Sequence, residues 1–203
     1  MKRVHHRYKN TIKGLLLATT SALVACSSGS SSSKPATQSG VSPQTMADAL
    51  HAVMESDRTV YTKKVVNRLA NEQNIIKASE HWEDDKALPL PAQMFRMGAE
   101  MVTEKNVGFT YGLLSKWPVN KQHAPKTDVE IRGLDFIDSN GGTTPFYGEE
   151  ELGNQKYFTA IYADVGVATA CVKCHNEHKD SPRTDFKIGD VMGGIVIRIP
   201  LNS

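Results

Sequence analysis

Cys171-Val172-Lys173-Cys174-His175 brings two thiols and an imidazole within five consecutive residues. C-x-x-C-H is the spacing at which two cysteines form thioethers with the vinyl groups of one porphyrin while the histidine ligates its iron. The expectation is a single, covalently attached haem c, held by Cys171 and Cys174, with His175 as proximal iron ligand. Two other chemistries use close cysteine pairs. A thioredoxin-like dithiol wants a strand before the pair and a helix after it, within a βαβ unit. Residues 157–162 read as a strand, but residues 176–182, beyond the pair, read as loop. A zinc site needs a second pair of ligands, of which His178 supplies one.

The N-terminus bears on where such chemistry takes place. Lys2, Arg3, Arg7, Lys9 and Lys13 precede an apolar run, residues 14–24, that is too short to span a bilayer, as in a secretory signal peptide. Its end, Leu23-Val24-Ala25-Cys26, looks like a bacterial lipobox, which makes Cys26 the lipidated first residue of the mature chain. Ser27 stands where inner-membrane retention would place Asp, so the expected location is the cell envelope, lipid-anchored on the periplasmic side, at the outer membrane rather than the inner. The chain has 3 cysteines. Lipid and haem use all of them, and none is left for a disulfide.

Residues 1–25 are therefore read as signal peptide and 26–44 as a lipidated, Ser-rich tether with too little apolar content to fold. As a flexible coil of that length it reaches roughly 20–25 Å. Residues 45–203 make one domain. The formal charge of +2 falls to near −3 once the five signal cations are removed, which gives no reason to expect nucleic acid.

Within that domain Met46, Leu50, Val53, Met54, Tyr61, Val65, Val66 and Leu69 recur at three- and four-residue spacing, predicting a long helix over 45–79. A second helix is expected from Pro91 to about Lys105, and a short one over 128–137. Strands are expected over 109–114, 157–162 and 194–199. Helices first and strands later point to an α+β domain with an antiparallel sheet.

The string 170–176 around the pentad, Ser181-Pro182, residues 185–194 and the Ile-rich terminal strand resemble the exported single-haem c-type domains with a PAS-like fold. Leu88-Pro89-Leu90-Pro91-Ala92, residues 115–120 and Tyr157-Phe158-Thr159-Ala160 carry the same resemblance. It implies a long N-terminal helix leading into a PAS-like antiparallel sheet that cradles the haem, with the haem-bearing loop ahead of the last strand. It also implies a sensor role, alone or with an output partner, and by analogy a homodimer.

The sixth iron ligand decides between electron transfer and ligand binding. In some relatives a cysteine on the N-terminal helix takes that place, and here that helix has none. His51 and Met54, three apart on one helical face, are the leading candidates. His81, the Met94/Met97/Met101 stripe and His123 follow, while His178 is expected to face solvent. Arg183, Lys187 and Arg198 are candidate partners for the propionates. The functional expectation is a mono-haem protein acting in redox or small-ligand sensing or in electron relay, with a redox or signalling protein as partner. The alternatives are a plain six-coordinate electron carrier and, behind it, a peroxidase-like haem enzyme.

Overall fold

The computed structural model describes residues 40–201. The stretch read as signal peptide, Cys26 and most of the stretch read as tether lie outside the described residues. Helix α1, Pro43–Val60, starts where Ser42 accepts a hydrogen bond from the Thr45 N–H and proline occupies the first turn. The helix therefore begins inside the stretch read as tether. It continues as a π-helical segment, Tyr61–Glu72, and stops seven residues short of the expected end. Asn74 takes a left-handed conformation (φ 51°), and the Ile75 and Ile76 N–H groups turn back onto the Leu69 carbonyl. The apolar pair Ile75-Ile76 thus extends the helical pattern in sequence while closing the helix in space.

Two short parallel strands follow, β1 (Ala78–Ser79) and β2 (Leu88–Pro89). Helix α2 is Pro91–Lys105, β3 is Thr110–Leu114 and α3 is Asp128–Ser139. Then come β4 (Phe146–Leu152), β5 (Gln155–Val165), α4 (Thr169–Glu177) and β6 (Val191–Pro200). The main sheet is antiparallel throughout, in the order β3-β6-β5-β4. The fold is α+β, as expected, with a long N-terminal helix leading into an antiparallel sheet. No helix among the described residues is long and apolar enough to cross a membrane.

Alternation along β5 and β6 assigns the two faces. Ala160, Tyr162, Ile195, Ile197 and Ile199 pack with Ala47, Leu50, Met54 and Phe95 of α1 and α2. Ile161 and Val196 pack with Leu134 and Ile137 of α3. A sheet covered on both faces buries its central strand completely, and β6 is buried from Val191 to Ile197.

Candidate functional site

The pentad lies on a helix, α4, and not on the loop that was expected. Cys171, Cys174 and His175 stand at i, i+3 and i+4, so one helical face carries both sulfurs and the imidazole. Both thiols are free, Cys174 exposed and Cys171 half-buried. Desolvation pushes the Cys174 thiol above its ordinary value, and the charges of Glu80, Cys171 and Glu177 push the same way. A dithiol nucleophile needs the opposite shift. Among the described residues no group of three or more His, Cys, Asp and Glu side chains gathers as a metal site would require.

His175 sits edge-on to Phe186, with ring centroids 5.8 Å apart. Burial holds its pKa below the ordinary histidine value, with Asp164 opposing and Arg58 and His178 adding to the depression. A neutral imidazole is the form that binds iron. Its Nδ1 is buried without a hydrogen-bond partner. The donor set suits a covalently attached haem: two free thiols and a neutral imidazole on one face, with the imidazole bound to no other group.

Asn176 fixes the following loop to the helix. Its side-chain amide donates to the Phe186 carbonyl (2.9 Å), and its side-chain oxygen accepts from the Phe186 N–H (3.0 Å). Arg183 stacks over Trp117 and Phe186 and pairs with Asp185 and Asp190. At the other end of α4, His178 does not face solvent. Its Nδ1 accepts from the Asp180 N–H (3.1 Å), so its Nε2 donates to Glu80 Oε1 at 2.5 Å, tying α4 to the β1–β2 loop.

The remaining candidates are dispersed. His51 stacks on Tyr162 at 3.9 Å, and its Nε2 is buried without a partner. Met54 belongs to the core under the sheet. Both side chains are on the sheet-facing side of α1, whereas α4 packs on the π-helical segment beyond it. His81 is exposed. His123 lines an open hollow of about 430 Å³ with Arg96, Glu100 and Tyr111. Met94 and Met97 are half-buried on α2, and Met101 is 57% exposed. Of the three expected propionate partners, Arg198 is held between Glu130 and Glu150 (2.5 and 2.7 Å), Arg183 is clamped as above, and Lys187 is exposed.

Sequence reasoning missed the Arg58–Asp164 ion pair. Arg58 lies in the last turn of α1, and Asp164 lies at the β-bulge that ends the regular pairing of β5, five residues before α4. Their side chains are only 12% and 15% exposed. Neither residue has a local sequence pattern that announces a pairing across 106 positions.

No curated protein matches the chain. A solved structure, that of the cyanobacterial haem protein Tll0287, superposes with a TM-score of 0.54 at 15% identity, covering 80% of this chain and 98% of that one. At that identity the likeness concerns the fold alone: the α+β arrangement of helices with an antiparallel sheet is an architecture already seen. The Tll0287-like family model matches residues 20–200, nearly the whole length over which these elements are strung, and the chain belongs to the Tll0287-like family.

Proposed function

We propose that this protein binds one haem c, attached through Cys171 and Cys174 with His175 as axial ligand, and acts in redox or small-ligand sensing or in electron relay. The observation that carries the proposal is the single face of α4 bearing two free thiols and a neutral, unengaged imidazole. Haem supplies one-electron exchange and ligand binding at iron. The chain's part is to hold that group. Asn176 and the Phe186 loop fix the rim of the site, and the Glu80–His178 contact fixes the end of α4.

The lipobox-like Leu23-Val24-Ala25-Cys26 supports a lipid-anchored protein on the periplasmic side of the envelope. Its partner in this reading is a redox or signalling protein. A second reading is a plain six-coordinate electron carrier, with a sixth ligand other than His51, whose ring is stacked on Tyr162 beneath α1.

Mass spectrometry of the denatured chain, expressed with a c-type maturation system, tests the haem reading. One haem mass retained in the wild type and lost in C171S/C174S is expected; two alkylatable thiols and no haem would overturn it. Optical spectra of the reduced form with CO separate the two readings. A shifted Soret band means an open or displaceable sixth position, and an unchanged spectrum means two strong protein ligands.

A further inference from the structure

The two outer strands of the main sheet, β3 and β4, differ in how they meet solvent. A free strand edge is a template for pairing with another chain, and charged side chains are a common protection against it. Strand β4 carries the exposed acids Glu149 and Glu151. Strand β3, Thr-Tyr-Gly-Leu-Leu, carries no charge, and only one of its sides is paired, with β6.

The open hollow of about 430 Å³ runs along the unpaired side. Tyr111, Gly112 and Leu113, three consecutive residues of β3, line it. Side chains alternate between the faces of a strand, so a hollow bordered by three residues in a row lies at the strand's edge. The backbone groups that face it can be assigned. A Cβ on Gly193 would lie 2.5 Å from the Leu114 carbonyl oxygen, so Leu114 points to β6, and by alternation Gly112 and Thr110 do too. The Ser115 N–H points the other way, to the His123 carbonyl (2.9 Å). Tyr111 and Leu113 therefore turn N–H and C=O outward, and these four groups have no backbone partner among the described residues.

Helix α2 forms the opposite wall. Ala99 and Thr103 line it, and the Thr103 hydroxyl is already engaged with the Ala99 carbonyl (2.9 Å). Arg96 is paired with Glu100 at 2.5 Å. Glu104, exposed in the last turn of α2 where the chain turns towards β3, has no ion pair among the described residues, and the neighbouring Lys105 does not line the hollow. The end of the hollow where β3 begins is thus left negative.

We propose that the β3 edge takes an extended, cation-bearing segment of a partner protein as an added strand. Tyr111 and Leu113 offer its backbone four hydrogen bonds, alternate side chains of the segment pack against the α2 wall at Ala99, and a Lys or Arg near one end meets Glu104. A second copy of this chain is a poorer fit: its β3 has no cation, and the one that follows, Lys116, is held by Asp135 and Asp138 (2.8 and 2.9 Å). The proposal does not rest on the haem reading.

Selection of a displayed library of random short peptides on the full chain tests this. The enriched peptides are expected to alternate apolar residues and to carry Lys or Arg near one end. A synthetic copy of the strongest is expected to slow hydrogen exchange at the Tyr111 and Leu113 amides. Its affinity for E104K is expected to be roughly threefold to tenfold weaker, because charge reversal turns an exposed attraction into a repulsion. Glu104 is exposed and unpaired, so E104K keeps the fold. No enriched peptide, peptides that leave both amides unprotected, or equal affinity for E104K would each overturn the proposal. Sedimentation of the chain without peptide adds a further check: a dimer in which the Tyr111 and Leu113 amides are already protected assigns the edge to a second copy and overturns it as well.

Discussion

Asn176 and Phe186 are joined by a reciprocal pair of hydrogen bonds, the amide side chain of one closing on the backbone N–H and C=O of the other. The residue directly after His175 thereby fixes the loop whose aromatic ring abuts that histidine. The helix and its rim form one unit.

Removing that clamp exposes its value. Asn176→Ala leaves the Phe186 N–H and C=O without partners, at about 1–3 kcal/mol. Thermal unfolding is expected to show a lowered Tm, and near-ultraviolet circular dichroism a weakened aromatic signal as Phe186 and the Arg183–Trp117 stack loosen.

Arg198 is the cation between two carboxylates, Glu130 (side chain 7% exposed) and Glu150 (5%). Burial works to raise the Glu150 carboxyl, but hydrogen bonds from Thr159 and Arg198 and the Arg198 charge hold it below the usual range. Arg198→Met strands both acids, and breaking such a buried set costs about 3–5 kcal/mol. Urea unfolding measures the loss. Haem per folded chain is expected to stay the same, because Arg198 is engaged away from α4.

Asp48 Oδ1 accepts from the hydroxyls of both Tyr147 and Tyr162 at 2.7 Å. Desolvation, reinforced by Asp48, pushes the Tyr162 hydroxyl far above its ordinary value of 10.0. A group whose folded pKa is raised stabilises fully below its unfolded pKa and loses that contribution as pH rises past it. Tm is therefore expected to fall steeply above about pH 10. In Tyr162→Phe the fall is expected to be shallower, in parallel scans from pH 8 to 11.5.

Two glycines of the β3–β6 pair predict opposite outcomes. A Cβ on Gly193 would lie 2.5 Å from the Leu114 carbonyl oxygen, a backbone atom that cannot yield without parting the strands. Gly193→Ala is expected to destabilise by about 1–3 kcal/mol. A Cβ on Gly112 meets nothing within 4 Å. Gly112→Ala is expected to be neutral or to stabilise by up to about 1 kcal/mol. Denaturant midpoints of the two variants are the check.

The elements legible in the sequence are those in which side-chain period and backbone period agree. The strands expected over 109–114, 157–162 and 194–199 coincide, to one residue at the start of the first, with parts of β3, β5 and β6, and Pro91 opens α2. Strand β4 escaped because Gly148 and the acids Glu149, Glu150 and Glu151 give it no apolar alternation. Of its three acids Glu150 is drawn inward, and its burial depends on Arg198 arriving from another strand. Helix α4 escaped because nine residues without a side-chain N-cap carry little periodic signal, and its faces are defined by the loop and the π-helical segment packed on it. His178 was read from its distance along the chain to His175, and Glu80, 98 residues away, redirects it. The grouping of Cys171, Cys174 and His175 on one face was legible because it is local. The pairing of Arg58 and Asp164 was not, because it exists only once the sheet has formed.

Strand β6 is last of the strands in sequence but second in the sheet, between β3 and β5. Until residues 191–200 are in place, β3 with α2 and the β4–β5 hairpin are two fragments with no shared hydrogen-bond ladder. The sheet therefore closes by a late insertion, of the long-range kind that is slow to form.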